Sequence, residues 1–249
     1  MSYLNLYAGL GGNRKLWGDC DVIAIEQNDE IASAYEKTFP KDDVHRADAH
    51  SYLLQHVDEY QFIWSSPPCP THSKMSRTTR HALRRYPDFR LYEEIVFLQT
   101  YAKCPWVVEN VRPYYKPLIE PTFTCDRHIF WANFYIPPFD LPPKPKGFIN
   151  KCNLAGRAEV LKWLGMESDA IIYLPGNHCP AQVVRNCVHP LLGKHILDAA
   201  HGGGLPDERE MPAFGPRRFR ESRLPCYDQK PARPRRFCES TLKILETRR

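Results

Sequence analysis

Over the first 110 residues, short β-branched or aromatic runs alternate with segments of helical spacing. Residues 3–8 form an apolar run closed by Gly9, and residues 21–26 (DVIAIE) are short and β-branched. Residues 44–48, 62–65 and 106–109 read as three further strands. Between them, residues 29–39 space Ile31, Ala34, Tyr35 and Thr38 as a helix does, and residues 90–101 place Tyr92, Ile95, Val96 and Gln99 on one side. Strands that alternate with helices can pair in parallel only through crossovers, so the expected class is α/β with a doubly wound sheet. The chain has 249 residues, enough for one sizeable domain and a small appendage.

Beyond residue 110 the rhythm changes. Residues 121–136 read as a hairpin, and 137–150 (PPFDLPPKPKGFIN) as an extended proline-rich crossing. Residues 154–165 form a helix ended by Gly165. Residues 176–200 open on a Gly-Asn turn and continue as a long helical stretch, which the glycines at 202–204 break. The expected domains are 1–200 and a C-terminal tail, 201–249.

Net charge is +5, and residues 205–249 carry all of it, with 12 basic against 7 acidic side chains. A neutral body with an Arg/Pro-rich tail, in which Arg217, Arg218 and Arg220 flank Phe219, suits a polyanion partner. Nine cysteines without a CxxC pair, no charged and apolar leader, and no apolar run near the roughly 20 residues of a membrane span lead to an expected cytoplasmic, reducing setting with no membrane. Cys125, His128, His178, Cys179, Cys187 and His189 lack paired-ligand spacing, so no metal is expected.

The densest chemistry lies in residues 61–73, QFIWSSPPCPTHS. A strand enters a Ser-Ser-Pro-Pro turn whose prolines fix φ and remove two donors, and the turn presents Cys69 at a strand end. Residues 5–12 (NLYAGLGG) end the first strand with glycines that permit a tight turn and close ligand approach. Glu26 ends the second strand and can accept from ribose hydroxyls. Asp48 ends the third and can accept from an exocyclic amine, while Tyr7 can stack on the ring. No lysine follows the glycines as in a P-loop, so the set suits an adenosine without polyphosphate. Residues 71–90 hold Lys74, Arg77, Arg80, Arg84, Arg85 and Arg90 against one acid, Asp88, as a phosphate-contacting loop would.

With these motifs in order, the chain resembles the DNA (cytosine-5) methyltransferase family over residues 3–200. NLYAGLGG, IEQND at 25–29, ADA at 47–49 and SSPPCP at 65–70 are similar to its first four motifs, and VVENV at 107–111 to its Glu-Asn-Val motif. DRHIFWANF at 126–134 resembles its arginine motif, and AGRAEVLKWLGM at 155–166 and GNHCPAQVV at 176–184 its last two. The resemblance implies a Rossmann-like class I S-adenosylmethionine methyltransferase sheet with a small C-terminal extension. It also implies methyl transfer from S-adenosylmethionine to carbon 5 of cytosine in DNA, either single-stranded or with the base flipped from the duplex. Cys69 would add covalently to carbon 6, its thiolate fraction raised by donors or cations. Glu109 would bond or protonate N3, and Arg127 would hold the base carbonyl or orient Glu109. Tyr7, Ala8, Gly9, Gly11, Gly12, Glu26, Gln27, Asp48, Ala49, Pro68 and Asn177 would hold the cofactor. Ser73, Lys74, Arg77, Arg80, Arg84 and Arg85 would contact nucleic acid.

Three departures stand out. Pro70 replaces the usual Gln, and Ile129 replaces a second Arg, which leaves base orientation looser or dependent on His128. Only residues 135–151 occupy the place of a target-recognition domain, too few to read several base pairs in the major groove. An RNA cytosine-5 methyltransferase and a non-catalytic nucleic-acid-binding relative are the competing readings.

Overall fold

The computed structural model describes residues 2–74, 86–174 and 177–202. The tail 205–249 and Arg77, Arg80, Arg84 and Arg85 of the basic loop lie outside the described residues. Strands β1 (Tyr3–Leu6), β2 (Val22–Ile25), β3 (Asp43–His45), β4 (Phe62–Ser65), β5 (Trp106–Val111), β6 (Phe123–Cys125) and β7 (His128–Ala132) form one sheet in the order β3-β2-β1-β4-β5-β7-β6. The helices are α1 (Asp29–Thr38), α2 (Ala49–His56), α3 (Arg90–Tyr101), α4 (Leu154–Leu164), α5 (Gln182–Arg185) and α6 (Pro190–Gly202). β1 to β5 pair in parallel, and β7 runs antiparallel to both β5 and β6. This is a Rossmann-like, doubly wound mixed α/β sheet, in which β7 is the antiparallel insertion between β5 and β6.

Helices cover both faces, so the central strands are apolar on both sides. Every residue of β4 and β7 is buried. On one face Leu4, Ile63, Val108, Ile129 and Trp131 pack under Leu53 of α2 and Leu91, Ile95 and Leu98 of α3. On the other, Phe62, Trp64, Val107 and Phe130 pack against Trp17 and against Leu192, Ile196 and Leu197 of α6. Ile31 and Ala34 of α1 join α4 and α5 in a third cluster.

The structure departs from the sequence expectations at three places. β3 is only three residues long, so Asp48 does not end a strand; it caps α2, an unforeseen helix, by accepting from the Ser51 N–H. α3 has the expected bounds, but its buried stripe is Leu91, Tyr92, Glu94, Ile95 and Leu98, while Val96 and Gln99 face solvent. The stretch 176–200 is two helices, because Pro190 lacks an N–H and is tolerated only in a first turn, where it starts α6. The last helix ends at Gly202, and Gly203 and Gly204 lie outside the described residues. Residues 137–150 contain no helix or strand, as expected. They are pinned by Phe139 stacked on His195 of α6 at 4.5 Å and by Phe148 edge-on to Trp163 of α4 at 5.5 Å. Among the described residues no helix is long and apolar enough to cross a membrane.

One buried ion pair ties the turn after β1 to the segment before β3. Arg14 donates from Nε and Nη2 to the two oxygens of Asp42 at 3.0 and 2.9 Å, and the Tyr35 hydroxyl adds a bond of 2.8 Å. The Asp42 side chain is 1% exposed. Asp42→Asn would strand a buried guanidinium, so it is expected to destabilise the protein by about 3–5 kcal/mol. Urea unfolding measures this, and an unchanged midpoint would contradict a structural role for the pair.

Candidate active site

The connections after β1 and β4 leave on opposite sides, because the strand order reverses between them. A crevice opens there at the carboxyl ends of the strands. The cleft has a volume of about 390 Å³. Tyr7, Ala8, Gly9, Gly12, Glu26, Gln27, Asp48 and Ala49 line one half, and Pro68, Cys69, Glu109, Arg127 and His128 line the other.

In the first half, the Glu26 carboxylate is fixed by two backbone donors. Its Oε2 accepts from Gly9 N–H at 3.0 Å and its Oε1 from Asn28 N–H at 2.9 Å. Each oxygen keeps a lone pair for a further donor, as vicinal hydroxyls would supply. Asp48 accepts from Ser51 N–H and hydroxyl at Oδ1, which holds its carboxyl below the usual range, and its Oδ2 stands 3.9 Å from Arg90 Nη1 with capacity for a further donor. Gly12 allows a close approach: a Cβ there would stand 2.4 Å from the Val188 carbonyl oxygen and 2.7 Å from the Cys187 Cβ. Gly11 does not line the cleft. Its φ is +74°, and it lets Tyr35 and Phe39 pack against the turn. Asn177 does not line it either; its Oδ1 accepts from Cys179 N–H at 2.9 Å, and Val183, Asn186, Cys187 and Val188 form that wall instead.

Tyr7 occupies the left-handed region at φ +56°, a conformation that costs a non-glycine residue roughly 1–3 kcal/mol. Its hydroxyl donates to Glu94 Oε1 at 2.5 Å, which holds the ring at the cleft wall. Glu94 is fully buried and also accepts from Ser65 Oγ at 2.6 Å, with His50 Nδ1 at 3.1 Å. The bond to Glu94 holds the His50 pKa above its ordinary value, against the opposing effect of burial. Glu94 and His50 were missed in the sequence. The only signal was an acid inside the apolar stripe of α3.

In the second half, Asn110 Nδ2 donates to the Pro67 carbonyl at 3.0 Å and so anchors the proline turn from β5. The Cys69 carbonyl accepts from the N–H groups of His72 and Ser73, each at 3.0 Å. Buried His72 lines the cleft, and its Nδ1 lies 2.5 Å from the Tyr115 hydroxyl. Burial lowers its pKa and keeps it neutral. The Cys69 thiol is pushed up to about 11, first by burial and then by the nearby Glu109 charge, with Arg127 opposing. This corrects the expectation of a raised thiolate fraction: in the free protein Cys69 is a thiol.

Glu109 lies 2.5 Å from His128 Nδ1 through Oε1. Arg127 makes no direct bond to Glu109. Its Nε donates to His128 Nε2 at 3.1 Å, its Nη2 donates to the Arg185 carbonyl, and its guanidinium sits 5.7 Å over the Phe148 ring. The β5–β7 register explains the Ile129 departure. Glu109 pairs with Phe130 and Val111 with His128, so His128 shares the Glu109 face, while Ile129, opposite Asn110, points into the core on the other face. Pro70 lines the cleft and is exposed. Ser73 forms an isolated bridge with Pro113, and Lys74 is exposed; neither lines the cleft, whereas Arg90 and Asp88 do. Among the described residues no three His, Cys, Asp or Glu side chains are grouped to hold a metal.

No family model matches the chain, and no curated protein matches it. Among solved structures it is similar to a triple mutant of Spodoptera frugiperda DNMT2, at 14% identity and a TM-score of 0.48, covering 80% of this chain and 99% of that one. It is also similar to the Entamoeba histolytica methyltransferase EhMeth, at 12% identity and a TM-score of 0.45, covering 81% and 98%.

Because burial and then the Glu109 charge raise the thiol, alkylation of Cys69 in the free protein is expected to be slow at pH 7 and to accelerate toward pH 11. Glu109→Gln removes a repelling charge and should speed it at neutral pH, and Arg127→Ala should slow it. Peptide mass spectrometry of the iodoacetamide adduct reads each rate, and equal rates in all three proteins would disprove the electrostatic coupling.

Proposed function

We propose that this chain is an S-adenosylmethionine-dependent methyltransferase that modifies carbon 5 of cytosine in nucleic acid, with DNA as the substrate. The observation that carries the reading is one cleft with two chemically distinct halves. A fixed carboxylate and a glycine cradle lie at the ends of β1 and β2, and a cysteine, a glutamate and an arginine converge at β4, β5 and β7.

The residues present fit the cofactor. Glu26 offers two oriented acceptors to ribose hydroxyls, Asp48 Oδ2 offers one to an adenine amine, and Tyr7 walls the ring site. Gly12 keeps the wall free of a Cβ. When bound, S-adenosylmethionine supplies an electrophilic methyl group.

The reaction starts from a thiol and a carboxylate. The Cys69 proton passes to Glu109, which removes the repulsion that raises the thiol and turns Glu109 into a donor for the base N3. The Cys69 sulfur then forms a bond to carbon 6 as N3 takes the proton, and the ring becomes an enamine nucleophilic at carbon 5. Carbon 5 then gains the methyl, with S-adenosylhomocysteine as the leaving group, and gives its proton to water. The S–C6 electron pair returns to sulfur as the C5–C6 double bond re-forms and the base N3 gives up its proton. Carbon 5 is inaccessible in a stacked duplex, so the cytosine is flipped or single-stranded. The crossing 137–150, laid on α4 and α6, supplies no second domain for reading the major groove. This favours low sequence specificity, and it keeps an RNA substrate as the second reading.

Cys69→Ser should abolish methyl transfer and retain cofactor binding, whereas Glu26→Ala should weaken cofactor binding by roughly 10-fold or more, as loss of hydrogen bonds to a charged acceptor does. Calorimetry with S-adenosylmethionine and a covalent-trapping assay on 5-fluorocytosine DNA and RNA measure both. Bisulfite sequencing of a host without cytosine-5 methylation, expressing the chain, gives the context. Turnover in Cys69→Ser would sink the mechanism, and an adduct on RNA alone would select the second reading.

A further inference from the structure

Resting on the proposed reading, we infer that His128 is a positioning residue: it engages one oxygen of Glu109, so that the other oxygen carries the proton to the base, and Arg127 sets the tautomer that lets it do so.

The argument follows from which groups can donate. An arginine Nε–H only donates, and it points at His128 Nε2 at 3.1 Å, so Nε2 is the acceptor of that ring. A neutral imidazole carries one proton, which must then lie on Nδ1. That atom is 2.5 Å from Glu109 Oε1, so His128 donates and Oε1 accepts. The opposite tautomer, or a doubly protonated ring, would set two N–H groups face to face. His128 and Glu109 are 5% and 7% exposed, so water cannot readily relieve such a clash.

The far end of the chain is fixed as well. Arg127 donates its Nη2 to the carbonyl of Arg185 in α5 and packs on Phe148. Arg185 is itself buried, and it donates to the Ile149 carbonyl at 2.7 Å. A directional series of bonds therefore runs Arg185 carbonyl, Arg127, His128, Glu109. With Oε1 accepting, a proton on Glu109 sits on Oε2, the oxygen left to meet a base nitrogen. The same geometry excludes His128 as a general base, because Nδ1 is protonated and Nε2 is already engaged. His128 thus supplies from the neighbouring position what Ile129, turned into the core, cannot.

Two measurements on the full chain test this. In protein with 15N-labelled histidine, long-range proton–nitrogen correlation reads each ring, and His128 is assigned by its loss in His128→Asn. A neutral ring protonated at Nδ1 is expected, shifting to a mixture in Arg127→Met; an Nε2–H or doubly protonated ring in the unsubstituted protein overturns the inference. The second compares His128→Asn, whose amide can donate from the Nδ1 position, with His128→Leu, which cannot. His128→Leu should lower the turnover number about 100-fold, the low end of what a positioned acid contributes, with the S-adenosylmethionine Kd unchanged. His128→Asn should recover most of that loss. Equal loss in both variants, with cofactor binding intact, overturns the positioning role. If the unsubstituted protein forms no adduct and no methylated product, the proposed function fails, and the tautomer measurement still decides the hydrogen-bond series.

Discussion

Everything at the candidate site depends on the reversal of strand order between β1 and β4. The crossover from β1 to β2 runs through the 3-10 turn Arg14–Leu16 and Trp17 on one face, and the one from β4 to β5 carries α3 on the other, so the loops at the carboxyl ends of β1 and β4 part. No side chain has to be removed to make the cleft, because the connectivity leaves it. The glycine turn and the Pro-Pro-Cys turn are the two loops that part, and they hold opposite halves of it.

The walls of that cleft are held by polar groups with assigned partners. Glu94, wholly buried, accepts from Tyr7 and Ser65 and pairs with His50, so one carboxylate locks the end of β1, the end of β4 and α2 together. Asn110 does the same for the proline turn. Such buried networks are costly when incomplete and specifying when complete. They let Tyr7 keep a strained backbone and Cys69 stand at a defined place beside Glu109.

The surroundings of Cys69 decide its protonation. Burial and the Glu109 charge both hold the Cys69 thiol up, and Arg127 opposes them. Under the proposed function, the proton that leaves Cys69 is taken up by Glu109 and passed to the base.

The strands, the two turns and the bounds of α3 were legible in the amino-acid sequence, because β-branching, helical spacing, glycine and proline act on their own few residues. Cys69 and Glu26 were legible as residues that follow strands for the same reason, whereas Glu109 lies within β5, which runs on to Val111. What the chain could not reveal by itself depends on separation. Glu94 reaches Tyr7 across 87 residues, and His128 reaches Glu109 across 19, through an antiparallel register that turns Ile129 away. The cap role of Asp48 and the packing role of Gly11 required the end of β3 and the positions of Tyr35 and Phe39. The protonation of Cys69 was likewise decided only in three dimensions. Burial and a neighbouring charge set a pKa, and neither exists until the sheet has brought β4, β5 and β7 side by side.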